Sequence, residues 1–334
     1  MKCVLEWLEE TACAYSGKTA FKDDQKQRTF TETYENAKAI GSFLIGMKHV
    51  RKPVVVLIDK CCDCIDSMLG ALYANCYYVV IDVHSPIERI NLIVDTLENP
   101  LLIYNKDTAE LANQITIKGG ILPYEKLVNT VVDDLSIDRI RQDMIDMDIA
   151  YILFTSGSTG VPKGTVITHK SLIAYIDWVS KEFCFNENTI FGSQTPLYFS
   201  MSVTDLYSTI KCGCTFHIIP KALFVFPLNL IEFLNEMKIN TIYWVPTALS
   251  ILANWKAFDY AKPDYLKTIM FAGEVMPMKQ LNYWIRNLPG VIFANLFGPT
   301  ETTDICTFYK VNRVFSDNDS YQLANTVTIV RYML

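Results

Sequence analysis

Short apolar runs alternate with helical periods along the first part of this chain. The runs VVVLI at 54–58, YYVVID at 77–82 and LLIY at 101–104 have the length and composition of buried strands. After Pro86, which suits a first helical turn, apolar residues recur at helical spacing: Ile90, Ile93, Val94 and Leu97. Strands that alternate with helices in this way predict a parallel sheet flanked by helices.

A second series of the same kind follows. Helix faces are predicted by Leu172, Ile176, Val179 and Phe183, and then by Phe199, Val203, Leu206 and Ile210. Strand-like runs come after them: TFHII, TIYWV, TIMF and VIFANL. Residues 105–148 are more polar and are interpreted as a connecting excursion. A chain of 334 residues, 50% of them apolar, is larger than one usual core, so we predict two similar doubly wound α/β subdomains, at roughly 1–190 and 191–300.

Composition excludes several classes of protein. A net charge of -6 and a pI near 5.3 argue against nucleic acid as a partner. No apolar run reaches the roughly 18 residues that span a bilayer, and Glu6, Glu9 and Glu10 stand where a signal peptide needs an apolar core. We therefore expect a soluble, cytoplasmic protein. Three of its ten cysteines, Cys61, Cys62 and Cys64, allow a metal interpretation, but buried thiols are the better one because no second ligand pair stands at metal-binding spacing.

The segment TSGSTGVPKG at 155–164 crowds Gly, Ser and Thr around one Lys. Glycines allow backbone N–H groups to turn toward an anion, hydroxyls add donors, and Lys163 adds a compact positive charge. These features predict a phosphate-binding loop, with an ordinary Gly/Ser surface hairpin as the alternative. The loop is not a P-loop, because Lys163 follows Pro162 and precedes Gly164.

Two later strand ends carry unusual chemistry. Ala272, Gly273 and Glu274 follow TIMF, and NLFGPTETT occupies 295–303. Ligands of open α/β sheets bind at the carboxyl ends of strands. Glu301 could hold a hard divalent cation and Thr300 a phosphate oxygen, because Mg²⁺ takes few carboxylates and shares its sites with phosphates.

With these motifs the chain resembles the adenylate-forming superfamily, which includes acyl-CoA synthetases, luciferases and the amino-acid adenylation domains of peptide synthetases. TSGSTGVPKG and the later NLFGPTE are similar to the family motifs TSGSTGxPKG and NxYGPTE. The segment YYVVID with Pro86, Arg89 and Ile90 resembles the AYVPIDPxxPxxRI signature of amino-acid adenylation domains, and FAGEVMP at 271–277 is similar to ligases that load D-alanine onto a carrier protein.

The resemblance implies that a carboxylate attacks the α-phosphorus of Mg·ATP and that a thiol then takes the acyl group. Thr155, Lys163 and Glu301 would carry the chemistry, with Glu301 as the Mg²⁺ ligand, Thr300 at the α-phosphate and Asn295 at the adenine amino group. Phe297 replaces the usual Tyr and keeps its stacking face. The expected nucleotide-binding residues are Thr155, Ser156, Gly157, Ser158, Thr159, Gly160, Lys163, Gly273, Glu274, Asn295, Phe297, Gly298, Thr300 and Glu301.

The acyl pocket departs from the family at one position. Ser200 stands where amino-acid adenylation domains place the Asp of an FDxS motif, which pairs with the substrate ammonium. The substrate therefore either lacks an α-amino group or pairs with another carboxylate, for which Asp304, three residues after Glu301, is the candidate. The alternative is that Asp304 faces Mg²⁺, Thr303 or solvent. By the same resemblance, the pocket for a small acid is expected to be lined by Ser200, Met201, Thr204, Tyr243, Met270, Ala272, Leu296, Asp304 and Ile305.

The family pattern extends beyond the motifs of this chain. It continues into a β-subdomain and a small C-terminal domain that carries a catalytic Lys. We expect residues 1–314 to form the AMP-binding N-terminal domain, 315–334 an atypical tail, the β-barrel subdomain to be incomplete and the C-terminal domain to be absent. ATP, Mg²⁺, a small carboxylic or amino acid and a phosphopantetheinyl carrier protein are the implied ligands and partners. The alternatives are a truncated, non-catalytic nucleotide- or partner-binding protein and an acyl-CoA synthetase-like ligase.

Overall fold

The computed structural model describes residues 1–155 and 162–316, and the backbone of residues 328–329. The chain divides into two compact units. Unit 1 comprises Met1–Ala20, Lys26–Ala174 and Leu197–Ser200, and unit 2 comprises Phe21–Gln25, Tyr175–Pro196 and the chain from Met201 onward. The chain therefore changes units within a helix rather than near residue 190, and two short segments are exchanged between the units. Apolar periodicity does not reveal such a boundary, because the helix is continuous across it.

The elements of the first half of the chain are, in order, α1 (Leu5–Ala14), β1 (Thr19–Lys22), β2 (Gln27–Thr29), α2 (Phe30–Gly46), β3 (Pro53–Leu57), α3 (Cys62–Tyr73), β4 (Tyr77–Val80), α4 (Ile87–Asp95), β5 (Leu101–Tyr104), α5 (Ala109–Ala112), β6 (Ile121–Pro123), α6 (Tyr124–Leu127), α7 (Asp134–Gln142), β7 (Ile149–Thr155) and β8 (Lys163–Thr168). Helix α2 begins at Phe30 because Thr29 and Glu32 form a reciprocal capping box that satisfies two backbone N–H groups at the helix start.

The described part of unit 1 contains a sheet of order β6-β5-β3-β4-β7-β8. Its strands are parallel except for β8, which returns antiparallel to β7. Strand β3 is buried along its whole length, which explains its uninterrupted apolar sequence. The excursion expected at 105–148 in fact contributes the edge strand β6 and helix α7. Strand β6 has only three residues, too few to give a period.

The elements of the second half are α8 (His169–Glu182), β9 (Ile190–Ser193), α9 (Ser202–Cys212), β10 (Thr215–Ile218), α10 (Pro227–Glu236), β11 (Thr241–Trp244), α11 (Pro246–Asn254), β12 (Thr268–Phe271), α12 (Met278–Asn287), β13 (Ile292–Phe297), β14 (Thr307–Val311) and β15 (Thr328–Ile329). The helix predicted from Phe199 begins only at Ser202. The Phe199 side chain is 55% exposed and does not belong to that helix face.

The described strands of unit 2 are ordered β15-β14-β13-β12-β11-β9-β10, and Phe21 and Lys22 of β1 pair with β10. Strands β9 to β13 are mutually parallel, whereas β14 is antiparallel to β13. The chain order reverses between β9 and β11, since β10 lies to one side of β9 and the later strands lie to the other. Open parallel sheets bind ligands at the carboxyl ends of strands near such a reversal.

One face of the unit 2 sheet packs on helices α10, α11 and α12 in a continuous apolar cluster. Its members include Trp244, Phe271, Phe293, Leu252 and Trp284. The two indole N–H groups donate to the backbone oxygens of Gly192 and Leu249, which satisfies their polar atoms inside the core. Among the described residues, no helix has the length and apolar character needed to cross a membrane.

Candidate active site

The Gly-rich segment connects β7 and β8 of unit 1. Phe154 pairs with Gly164 and Thr155 with Lys163, and the Thr155 hydroxyl donates to the Lys163 carbonyl oxygen over 3.5 Å. Lys163 is exposed. The expected phosphate-binding residues Ser156, Gly157, Ser158, Thr159 and Gly160 lie outside the described residues. Both ends of the loop are thus held on an antiparallel pair of strands, and Lys163 stands exposed at one of these ends.

Gly164 is required by close packing. A Cβ at this position would approach the Ile152 side chain to 2.8 Å and the Phe154 ring to 3.2 Å. The residues after Gly164, TVITHKSL, form the end of β8 and the start of α8.

The two unusual strand ends of unit 2 are neighbours. Strands β12 and β13 are parallel, and Phe271 pairs with Asn295 in their register. Gly273 therefore follows the end of β12 beside the residues that follow Asn295 on β13. Parallel strands present their carboxyl ends at one edge, so this edge brings together two of the motifs found in the sequence.

Gly273 and Glu274 have separate structural tasks. Gly273 has φ +88°, a conformation that favours glycine, and a Cβ there would lie 3.5 Å from the Met201 sulfur. The Glu274 carboxylate accepts hydrogen bonds from the backbone N–H of Thr247, over 2.9 Å, and from the Thr247 hydroxyl. Thr247 lies in the first turn of α11, so Glu274 caps that helix and complements its dipole. The expected role of Glu274 in nucleotide binding stays a prediction.

The GPTE segment folds back on β13. Residues Thr300–Thr302 form a 3-10 turn in which Glu301 is exposed. A Cβ on Gly298 would lie 2.1 Å from the Asp304 carbonyl oxygen, and the Cys306 N–H donates to the Phe297 carbonyl oxygen over 3.0 Å. Asn295 is half-buried, and the Phe297 ring is 67% exposed, as a stacking surface requires. The exposed Glu301 carboxylate is the kind of oxygen donor that Mg²⁺ prefers.

The apolar residues expected in the acyl pocket share one face of the unit 2 sheet. Tyr243 pairs with Met270, and Met270 pairs with Ala294, so their side chains point to the same side. Ala272 lies two residues after Met270, and Leu296 two residues after Ala294, so both belong to the same alternating set of positions. All of the expected residues in unit 2 are buried: Met201, Thr204, Tyr243, Met270, Ala272, Leu296, Asp304 and Ile305.

Asp304 is the centre of a buried hydrogen-bonded cluster. The Tyr175 hydroxyl donates to Asp304 Oδ2 over 2.7 Å, and the Thr204 hydroxyl donates to the same oxygen over 3.0 Å. The two hydroxyl oxygens lie 2.6 Å apart. Burial, reinforced by the Asp304 charge, raises the pKa of Tyr175 well above its usual value, so Tyr175 remains a donor. Thr303, just before Asp304, has φ +75°, a strained conformation for a β-branched residue.

Tyr175 was not expected from the sequence. It lies between Leu172 and Ile176 on α8, whose apolar period indicates packing alone. Its partner Asp304 is 129 residues away in the chain. The only available signal is a hydroxyl inside an otherwise apolar helix face, which is too common to identify a site.

Ser200, the position of the family's ammonium-binding Asp, lies in unit 1 and is half-buried. Two residues earlier, the Tyr198 hydroxyl interacts with Asp82, which follows β4. Burial and the Asp82 charge raise the pKa of Tyr198 to about 12. The segment 197–200 is thereby attached to the YVVID strand of unit 1.

The cysteine cluster is part of helix α3 and its start. Cys62 and Cys64 are buried, and Cys61 is half-buried. Burial raises the pKa of the Cys64 thiol well above its usual value. Within the described ranges, no three His, Cys, Asp or Glu side chains are grouped closely enough to hold a metal ion.

Comparison with known proteins identifies the family. Residues 8–330 match the AMP-binding enzymes. The chain belongs to this family, which confirms the resemblance found in its motifs.

Two curated relatives illustrate the similarity. The chain is 28% identical over 325 residues to an L-proline--[L-prolyl-carrier protein] ligase from Pseudomonas fluorescens, with 94% of the chain and 64% of the relative covered. It is 27% identical over 314 residues to a D-alanine--D-alanyl carrier protein ligase from Lacticaseibacillus casei, with 94% and 61% covered. The chain thus spans slightly more than three fifths of the length of these relatives.

Solved structures confirm the predicted fold class. The nonribosomal peptide synthetase FmoA3 superposes with a TM-score of 0.82 at 19% identity, over 96% of this chain and 34% of that one. VinN, solved in complex with L-aspartate, gives a TM-score of 0.77 at 17% identity, over 90% of this chain and 77% of that one. The α/β architecture with two sheets is that of the N-terminal domain of adenylate-forming enzymes.

Proposed function

We propose that this chain binds ATP and activates a small carboxylic acid as an acyl-adenylate, for transfer to the thiol of a carrier protein or of CoA. The observation that carries this proposal is the joint presence, in a member of the AMP-binding family, of the Gly-rich segment with Lys163 and the GPTE turn with Glu301. The carrier-protein ligases among the relatives favour an amino acid as the substrate and a carrier protein as the acceptor.

The described residues suit this chemistry individually. Lys163 places an exposed ammonium at the end of the Gly-rich loop, where it would neutralise phosphate charge. Thr300 would contact the α-phosphate, and Asn295 and Phe297 would hold the adenine. Glu301 would bind Mg²⁺, which when bound neutralises the charge of the phosphates during displacement.

Positioning and charge neutralisation explain why no side-chain nucleophile is needed. The substrate carboxylate is itself the attacking group, and pyrophosphate leaves from the α-phosphorus. The protein must hold these groups in line and stabilise the charge that develops, as in other phosphoryl-type transfers. The buried, apolar lining of Tyr243, Met270, Ala272 and Leu296 favours a small acyl group.

The test combines calorimetric binding of Mg·ATP with acid-dependent exchange of labelled pyrophosphate into ATP, over amino acids and their matched plain carboxylic acids. We expect ATP binding, exchange supported by a small acid, and loss of ATP affinity in Lys163→Ala and Asn295→Ala. The control Lys170→Ala removes an exposed charge from α8. Absence of ATP binding contradicts the proposal, and ATP binding without exchange with any acid favours the nucleotide-binding alternative.

A further inference from the structure

A buried carboxylate stands at the carboxyl end of the unit 2 sheet. Gly298 lies directly against the Asp304 backbone, which ties Asp304 to the end of β13. Met201, three residues before Thr204, lies beside Gly273 at the end of β12. The cluster of Asp304, Thr204 and Tyr175 is therefore at the sheet edge where ligands of this fold class bind.

Two hydroxyls converge on one oxygen of Asp304. Both donate to Oδ2, which fixes the orientation of the carboxyl group. Each hydroxyl carries a single proton, so the Tyr175 and Thr204 oxygens cannot both donate to Asp304 and also to each other. An ammonium group that approached this cluster would itself favour ionisation of the carboxyl group, because an opposite charge stabilises a carboxylate and the attraction is strong in a buried site.

Helix α9 extends the polar character of this region. Ser208 lies one helical turn after Thr204 and on the same helix face. Its side chain is fully buried, and its hydroxyl has no hydrogen-bond partner among the described residues. A buried unsatisfied hydroxyl is costly and is seldom tolerated without a reason. A polar substrate group or a bound water would satisfy it.

We propose that Asp304 binds the amino group of the substrate and that Tyr175 and Thr204 position the Asp304 carboxylate. The inference rests on the proposed function, because it names the class of acid that the site would activate: amino acids. It also accounts for Ser200, which supplies no negative charge at the position of the FDxS aspartate. Met270 and Leu296, both buried on the sheet face that carries Tyr243, favour a small side chain.

The experiment uses pairs of acyl-sulfamoyladenosines that differ only in the amino group. Suitable pairs are D-alanyl and propanoyl, and L-prolyl and cyclopentanecarbonyl. Calorimetry on the full chain gives the affinity ratio within each pair. For at least one pair we expect the amino-bearing member to bind about 10- to 100-fold more tightly, the range of a hydrogen bond to a charged group.

The variants separate a binding role from a structural one. Asp304→Asn should reduce the ratio to near one while the des-amino member keeps its affinity. Thr204→Val and Tyr175→Phe, each of which removes one hydroxyl, should reduce the ratio in part. Asp177→Asn is the matched control, because Asp177 is half exposed and pairs with Lys211. Its ratio should equal that of the unaltered chain.

The outcomes distinguish this inference from the proposed function. If no amino-bearing compound binds more tightly than its partner, the inference is wrong even when ATP binds. If Asp304→Asn weakens both members of a pair equally, Asp304 is structural and the inference is also wrong. Failure of Mg·ATP and of every sulfamoyladenosine to bind would instead contradict the proposed function.

Discussion

Unit 1 and unit 2 each bury an aspartate, Asp66 and Asp304, with at most 1% of either residue exposed. In both, a tyrosine hydroxyl donates to Oδ2 over 2.7 Å, from Tyr124 in unit 1 and Tyr175 in unit 2. The second donor differs. Asp66 Oδ2 also receives the Arg28 Nε over 3.1 Å, whereas Asp304 Oδ2 receives the Thr204 hydroxyl.

The difference shows what each carboxylate is suited to do. Asp66 has a cation from its own chain, and Asn36 donates to the same oxygen over 2.9 Å. Complete burial nevertheless raises the pKa of Asp66 to about 6, because desolvation outweighs the Arg28 charge and the hydrogen bonds. Burial lowers the pKa of Arg28, but the Asp66 charge and the hydrogen bonds to Tyr124 and Asp66 outweigh it, so the pKa of Arg28 is also raised. Asp66 thus has a guanidinium partner in unit 1, whereas the two donors described above at Asp304 Oδ2 are neutral hydroxyls.

The largest effect on the free energy of unfolding is expected when the ion pair of unit 1 is broken. Arg28→Met removes the guanidinium from Asp66 and leaves a buried carboxylate, which should lower the free energy of unfolding by about 3–5 kcal/mol. Urea unfolding measures it. The control is Arg51→Met, which removes an arginine that is 55% exposed and lies 3.6 Å from Asp148, and should cost less than about 1 kcal/mol. Equal losses in the two variants would show that Asp66 does not depend on Arg28.

A pH series tests the cost of Asp66 ionisation. The folded-state pKa of about 6 lies above the unfolded value of about 3.9, so folding favours the protonated acid. The stability contributed by this group is complete below about pH 4 and is lost as the pH rises through about 6. Relative to Asp66→Asn, the unaltered chain should lose about 3 kcal/mol between about pH 4 and pH 7. Stability curves that stay parallel for the two proteins would contradict the raised pKa.

An intermediate effect on stability is expected from a substitution that disturbs the backbone beside Asp304. Gly298→Ala places a Cβ within 2.1 Å of the Asp304 carbonyl oxygen, so the turn must shift, at a cost of about 1–3 kcal/mol. Gly46→Ala, at the end of α2 with open space around it, should be neutral or slightly stabilising. Thermal unfolding compares the two. If Gly298→Ala is as stable as its control, the close contact that fixes Asp304 is not required.

The smallest effect is expected at Asp304 itself. In Asp304→Asn the amide oxygen can still accept the Tyr175 and Thr204 hydroxyls, so the free energy of unfolding should fall by only about 1 kcal/mol. Asp66→Asn at pH 7 removes one of the two carboxylates that pair with Arg28, the other being Asp63, and serves as the contrast in the same urea assay. A loss of more than about 3 kcal/mol in Asp304→Asn would place Asp304 in the same structural class as Asp66.

The sequence predicted the fold class and the family, because both depend on local patterns. Buried parallel strands are uninterrupted apolar runs, and the Gly-rich segment and the GPTE turn have fixed compositions. It did not predict β6, which is too short for a period, nor the position of Phe199, whose spacing imitates a helix face.

The contacts of the candidate site were less predictable, since they join distant segments. Asp304 was identified only because Ser200 leaves the family's ammonium site without its carboxylate, and nothing in the sequence pairs Asp304 with Tyr175. Likewise, Glu274 was expected to bind nucleotide, yet its carboxylate caps α11 through Thr247, 27 residues earlier. Side-chain partners at such separations depend on the register of whole elements rather than on local spacing.

The most direct measurement compares the two aspartates by their effect on ligand discrimination. Calorimetry would give the affinity ratio of D-alanyl- to propanoyl-sulfamoyladenosine, and that of the L-prolyl pair, for the unaltered chain, Asp304→Asn and Asp66→Asn. We predict that Asp304→Asn alone abolishes the preference for the amino-bearing compound and that Asp66→Asn retains it. A preference that survives in Asp304→Asn, or that is missing from the unaltered chain, would contradict the assignment of Asp304 to the substrate.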